Sequence, residues 1–121
     1  MTTGTTPRQV AERWFAAFNA HDLEALLALY HEDARHFSPK LLARRPETRG
    51  WVQGKDALRD WWADAFVRLP TLRYEPTSMI AEGDAVFMEY LRHVEGEAVL
   101  RVGEVLELRD GRIAASRVYH G

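Results

Sequence analysis

Along residues 98–108 the even positions read Ala98, Leu100, Val102, Glu104, Leu106 and Leu108, a single carboxylate in an otherwise apolar series. Side chains at i and i+2 of a strand share a face, so Glu104 is expected to project into apolar surroundings. Burial penalises the charged form of a carboxyl group and raises its pKa unless a cation or several donors compensate. A carboxyl group in that condition serves as general acid, general base or hydrogen-bond donor. Two alternatives stay open: an ion pair with an arginine such as Arg117, or exposure at a bulge.

Neighbouring segments supply possible partners. Along the last segment Ala114, Ser116, Val118 and His120 share one face and Ile113, Ala115, Arg117 and Tyr119 the other, which sets His120 at the end of the same space. A neutral imidazole titrates near working pH and can exchange a proton with Glu104; fraying into solvent is the alternative. In residues 85–94 both alternating faces are largely apolar. A two-residue turn at Glu95-Gly96 puts Phe87 and Glu89 on the Glu104 side, and a one-residue change in that turn reverses the assignment. Residues 34–38 offer His36 and Ser38 on one face, His36 being either a base or a satisfied structural histidine. The candidate catalytic set is therefore Glu104, His120, His36 and Glu89. The side chains expected to line the ligand space are Trp14, Phe18, Tyr30, Ser38, Trp62, Phe66, Phe87, Val102 and Val118. The run HEDARH at 31–36 is no zinc motif, because its histidines are five apart and straddle a helix end, whereas H-E-x-x-H needs four on one helical face. No metal and no cofactor are expected.

These groups need elements to hold them. Residues 1–6 read as a disordered tail ahead of a single domain over 7–121. Pro7 suits the first turn of a helix, and Val10, Trp14, Phe18 with Ala11, Phe15 recur at helical spacing up to about Asn19. Asp22 is a good N-cap for a second helix striped by Leu23, Leu26, Leu27 and Tyr30, ending near Asp33. A short strand at 34–38 is stopped by Pro39. Residues 40–53 form a polar excursion with Arg44, Arg45 and Arg49, expected over the mouth of the ligand space. Gly54 opens a third helix with Ala57, Leu58, Trp61, Trp62, Ala65, Phe66 and Leu69 on a wide apolar face, closed by Pro70. Strands follow near 72–81, 85–94, 98–109 and 112–120, with turns at Glu82-Gly83-Asp84, Glu95-Gly96 and Asp110-Gly111. Helices first and an antiparallel meander second is α+β order.

Bulk properties narrow the function classes. The chain has 121 residues, net charge -2 and no cysteine. Such a length suits one domain, and a thiol nucleophile or Cys-ligated metal is excluded. The charge gives no broad basic field for nucleic acid. The N-terminus lacks a signal-peptide pattern, and no run approaches the ~18 apolar residues of a membrane span. A cytoplasmic location is expected, with neither nucleic acid nor membrane as partner.

Three segments carry a family resemblance. RWFAAFNAHDLEALLALYHEDARHFSP at 13–39 is similar to the helix pair and first strand of the SnoaL-like, nuclear-transport-factor-2-like superfamily; Gly54–Phe66 resembles its third helix and EVLELRDGRIAASRVYHG at 104–121 its closing hairpin. The resemblance implies an α+β fold in which a cone-shaped, curved, mainly antiparallel sheet and three N-terminal helices enclose a cavity, in proteins that are commonly dimers. The superfamily includes ketosteroid isomerase, polyketide cyclases, limonene-epoxide hydrolase and many binders. Carried across, the isomerase's oxyanion-hole Tyr position holds Trp14, its Asp base position Ser38, and its protonated Asp position Glu104. Two pocket Tyr positions hold Tyr30 and Trp62, and a pocket Trp position holds His120. The base and the main oxyanion donor are thus replaced, which speaks against steroid isomerisation itself. The expected activity is acid–base chemistry of the isomerase, cyclase or hydratase kind on a small apolar or oxygenated molecule; a non-catalytic binder or a dimeric interaction module is the alternative. A homodimer through the outer sheet face is expected, with Arg92 and Arg101 at or near the interface.

Overall fold

The computed structural model describes residues 6–120. Its helix α1 spans Pro7–Asn19, and Thr6 is its N-cap: the Thr6 hydroxyl accepts from Gln9 N at 3.1 Å while the Gln9 side chain accepts from Thr6 N at 3.0 Å. This reciprocal box satisfies two of the amides that a helix start leaves without partners. Of the tail expected over 1–6, residues 1–5 lie outside the described residues and Thr6 belongs to the cap. Helix α2, Leu23–Leu27, is capped by Asp22, whose carboxylate accepts from Ala25 N at 3.0 Å.

Strand β1 runs Tyr30–Phe37, so Tyr30 is the first residue of a strand and not part of the helical stripe. The physical reason is a competing partner: the Leu29 carbonyl accepts from Ile113 N at 2.8 Å, which draws the chain into the sheet one turn early. The 40–53 excursion is more ordered than its composition predicts. It holds helix α3, Pro39–Arg44, a 3-10 turn at Pro46–Thr48 and strand β2, Trp51–Gln53. Ser38 and Pro39 are the N-cap and N1 residues of α3, a known start signature, and the fully buried Leu41 ties this helix to the core.

Helix α4 is Lys55–Arg68, followed by β3 Arg73–Glu82, β4 Ala85–His93, β5 Leu100–Arg109 and β6 Arg112–His120. The six strands form one open sheet in the order β2-β1-β6-β5-β4-β3, antiparallel throughout except for the β1–β6 pair. This is the expected α+β architecture: a curved, mainly antiparallel sheet with α1, α2 and α4 over one face. The core lies between these layers, with Trp14, Phe15, Phe18, Leu26, Leu58, Trp62, Met88 and Leu106 buried. No helix among the described residues is long and apolar enough to cross a membrane.

Register decides which strand residues look inward. Across β4 and β5, Met88 pairs with Glu104 and Tyr90 with Val102; across β5 and β6, Glu104 pairs with Val118 and Val102 with His120. Directly paired residues share a face, so the inner face carries Val86, Met88, Tyr90 and Arg92 beside Leu106, Glu104, Val102 and Leu100. Phe87 and Glu89 therefore lie on the outer face, opposite to the expectation. The cause is the β4–β5 connection, which is six residues long (94–99) where a two-residue turn was expected, so the register is displaced. Arg92 moves with them: it is an inner-face residue and not part of an outer-face interface, whereas Arg101 is exposed on the outer side.

Candidate functional site

The helices do not fill the concavity of the sheet. A cavity of about 320 Å³ remains, bordered by α1, α3, α4 and the inner face. Its floor is made of buried Trp14, Trp62, Tyr90, Val102 and Glu104, while the exposed lining residues Lys40, Ala43, Arg44 and Arg68 mark its mouth. An apolar wall with a few convergent polar groups is the usual make-up of a small-molecule site.

Glu104 is 1% exposed. Its Oε1 accepts a hydrogen bond from the Tyr90 hydroxyl at 2.7 Å, the diagonal neighbour on β4, and Oε2 has no partner. Burial pushes the carboxyl up to about 8, although the Tyr90 bond pulls the other way. The group is thus largely neutral at pH 7. With Oε1 occupied as an acceptor, the acid proton belongs on Oε2, where it forms a donor with nothing in the protein to receive it. Arg117, the arginine considered as its partner, instead holds Glu107 at 3.1 Å. The same buried charge problem pushes the hydroxyls of Tyr90, Tyr74 and Tyr30 upward, burial being the first cause and Glu104 the second.

His36 sits two strands from Glu104 on the same face, beside Ser116 in the parallel β1–β6 register. At a spacing of about 4.8 Å per strand, their backbones are on the order of 10 Å apart. A buried chain of hydrogen bonds reaches it: Trp14 Nε1 to the Tyr30 hydroxyl at 3.1 Å, Tyr30 to the Ser116 hydroxyl at 3.1 Å, and Ser116 to His36 Nδ1 at 2.7 Å. An indole N–H only donates, so Tyr30 accepts from Trp14. The arrangement that leaves no hydroxyl proton of this chain without an acceptor has Tyr30 donating to Ser116 and Ser116 donating to Nδ1. His36 is then the tautomer with its proton on Nε2, a donor on the cavity side. Burial drives its pKa down to about 3, so it stays neutral. In this setting Nδ1 is bonded to Ser116 and the ring is kept neutral by burial.

His120 is the diagonal neighbour of Glu104 across β5 and β6 and lines the cavity near its mouth. It is half-buried. Burial first, then the charges of Lys40 and Arg92, hold its pKa below the usual histidine value. At pH 7 it is a neutral imidazole able to accept a proton.

With this geometry in place, known proteins can be compared. The model of the SnoaL-like domain matches residues 11–116. The chain belongs to the SnoaL-like domain family. Among solved structures, a SnoaL-like protein of unknown function from Burkholderia thailandensis is 25% identical with a TM-score of 0.85, the match covering 100% of this chain and 99% of that one. TerC, co-crystallised with polyporic acid, is 21% identical with a TM-score of 0.82 over 97% of this chain and 92% of its own. A hypothetical protein from Catenulispora acidiphila with a ketosteroid isomerase-like fold, in complex with trimethylamine, is 21% identical with a TM-score of 0.74 over 95% and 86%. At 21% identity the last two show the fold alone. A comparison with curated proteins finds no match.

In this SnoaL-like domain the sequence-derived residues separate into three groups. Trp14, Phe18, His36, Ser38, Trp62, Val102, Glu104, Val118 and His120 all line the cavity. Tyr30 is fully buried behind the lining, and Phe66 packs against Phe18 and His21 outside it. Phe87 and Glu89 are on the far side of the sheet, where the Phe87 ring lies over Gly103. Trp14, which the family resemblance set against an oxyanion-hole Tyr, gives its N–H to Tyr30. Of the three arginines expected at the mouth only Arg44 lines it; Arg45 and Arg49 are exposed elsewhere on the segment. Sequence reasoning missed Tyr90 and Arg92 because the face of β4 was assigned in the wrong phase, and it missed Tyr74 because no site residue was sought on β3. The alternation Val86, Met88, Tyr90, Arg92 was the available signal.

The two perturbed groups have opposite consequences for stability. Glu104 binds its proton more tightly in the folded state, so its contribution is fully present below the unfolded carboxyl value and is lost as pH rises toward about 8. His36 is depressed, so its contribution is present above the ordinary histidine value of 6.5 and is lost as pH falls toward 3. Between about 4.5 and 6.5 the two slopes oppose each other. Above 6.5 only Glu104 titrates. We expect urea unfolding to show the wild-type protein losing roughly 2 kcal/mol between pH 6.5 and 8, with that loss absent in Glu104→Gln. Equal pH dependence of the two proteins would contradict the assignment.

Proposed function

We propose that the cavity binds a small, apolar, oxygen-bearing molecule and promotes acid–base chemistry on it of the isomerase, cyclase or hydratase kind. The observation that carries this reading is the buried Glu104 carboxyl group with one oxygen bonded to Tyr90 and the other free of any protein partner. A neutral acid bordering a cavity, once a ligand opens its sealed Oε2, donates a hydrogen bond to a carbonyl oxygen and stabilises the charge that develops there when a neighbouring C–H bond is broken. His36 Nε2–H is a second neutral donor for the same purpose. His120 is the group that accepts the proton; it stands one strand from Glu104, diagonally across β5 and β6, and borders the same cavity. The aromatic walls of Trp14, Phe18 and Trp62 suit an apolar body.

We also propose that the protein is a homodimer joined through the outer face of the sheet. Phe87 and Tyr119 are 36% and 49% exposed there, beside half-buried Leu91 and Val105. Contiguous apolar surface of this kind marks interaction sites. Sedimentation equilibrium at micromolar concentration should return twice the chain mass; a monomer throughout would exclude the arrangement.

Turnover can be tested without knowing the natural substrate. Enolisation of a bound ketone exchanges its α-protons, and 2-tetralone in D2O reports this by proton NMR. Wild-type protein should accelerate the exchange, and Glu104→Gln should remove about 100-fold of the acceleration, the usual size of a general acid–base contribution. Exchange that proceeds equally in Glu104→Gln would refute the catalytic role. Saturable binding of the ketone with no exchange would identify a non-catalytic ligand-binding protein instead.

A further inference from the structure

The cavity has a second polar region that the acid–base reading does not use. Arg92 is 6% exposed on the inner face of β4. Its pairing with Leu100 sets it four residues along the strand direction from the Glu104 row, roughly 13 Å at a strand's rise. A guanidinium remains charged at any working pH, and a buried charge is tolerated only when paired. The pairing found here is partial. Nη1 donates to Glu97 Oε1 at 2.7 Å, and Glu97 belongs to the β4–β5 connection with its side chain 45% exposed. The guanidinium makes no other hydrogen bond among the described residues, although it carries five N–H donors. Glu104 Oε2 is the sole sealed side-chain polar atom without a partner among them, so the remaining Arg92 donors are not sealed in protein. Arg92 lines the cavity, which is where they open.

The surroundings add to its charge. Lys40 also lines the mouth and makes no ion pair among the described residues. Arg44 and Arg68 line it too, sharing Asp64 at 3.4 and 2.6 Å. Among the described residues Glu97 is the one ionised carboxylate of the lining, since Glu104 is largely neutral. Positive charge therefore exceeds negative charge around the mouth, while the floor is neutral and donor-rich.

We propose that Arg92, assisted by Lys40, anchors a carboxylate on the ligand, which replaces Glu97 on the guanidinium fork. This deepens the small-molecule reading above and rests on it: the substrate class becomes an amphiphilic organic acid, its apolar body against the aromatic wall and its carboxylate at the mouth. A planar fork recognises a carboxylate through two parallel bonds, whereas Glu97 now takes only one. Glu97 then acts as a placeholder that keeps Arg92 extended along the wall when the cavity is empty.

Calorimetric titration with naphthalene-2-acetate and its neutral isostere naphthalene-2-acetamide, at pH 7.5 in low salt, tests this directly. Wild-type protein should bind the acetate at least 10-fold more tightly than the acetamide. Arg92→Met should bring the acetate down to the level of the acetamide. Glu97→Gln, which removes the competing carboxylate without touching the fork, should tighten the acetate several-fold; it decides the matter alone if Arg92→Met does not fold. Equal binding of both probes by the wild type, or weaker acetate binding in Glu97→Gln, overturns the anchor while leaving the cavity reading intact. Failure of both probes to bind overturns the cavity reading and the anchor with it.

Discussion

A carboxyl group held out of water beneath a tyrosine hydroxyl is the constraint around which the inner face of this domain is organised. Glu104 has an apolar neighbour on each side of its own strand face, Val102 and Leu106, and pairs with Met88 and Val118 across the flanking strands. None of these can solvate a negative charge. The one hydrogen bond it does receive, from Tyr90, is compatible with the neutral acid and leaves the proton on the other oxygen. Leaving a buried polar atom without a partner costs about 1–3 kcal/mol. This unpartnered acid bordering the cavity is the observation behind our proposal of an oxygen-bearing ligand.

The rest of the site follows from how the sheet is registered around that residue. The meander β4–β5–β6 sets Tyr90 and His120 as its diagonal neighbours on either side, and the parallel return of β1 beside β6 adds His36. The chain Trp14–Tyr30–Ser116–His36 ties α1 to the sheet and orders the imidazole at the same time. Here packing and polar order are one structure: the buried aromatic residues that fill the space under the helices also carry the hydrogen-bond chain that ends on His36 Nδ1. The helices cover the floor while α3 and the long β4–β5 connection frame the mouth, so that neutral donors and cationic residues occupy opposite ends of one cavity.

Much of this was legible in the chain, and the failures have local causes. The alternation on 98–108 located Glu104 because a lone acid in an apolar series is a strong signal at period two. The helices α1 and α4 were readable because each is long enough to show its stripe. β4 was assigned the wrong face because both its faces are largely apolar and its phase depended on the length of a single connection, a quantity that Glu95-Gly96 alone does not reveal. α3 was missed because six residues are too few to display a helical period, even though Ser38-Pro39 announced its start. The hydrogen-bonded setting of His36 was out of reach in principle: it depends on three hydrogen bonds between residues up to 86 positions apart, which only the folded register brings together.

The chemistry of this cavity turns on the protonation state of one side chain, which can be measured directly. Carbon-13 NMR of glutamate-labelled protein follows each side-chain carboxyl carbon through a pH titration, and Glu104 is assigned as the signal lost in Glu104→Gln. We expect this carbon to keep the chemical shift of a protonated acid at pH 7 and to titrate at about 8. A Glu104 signal titrating between 4 and 5, like the exposed glutamates of an unfolded chain, would contradict it.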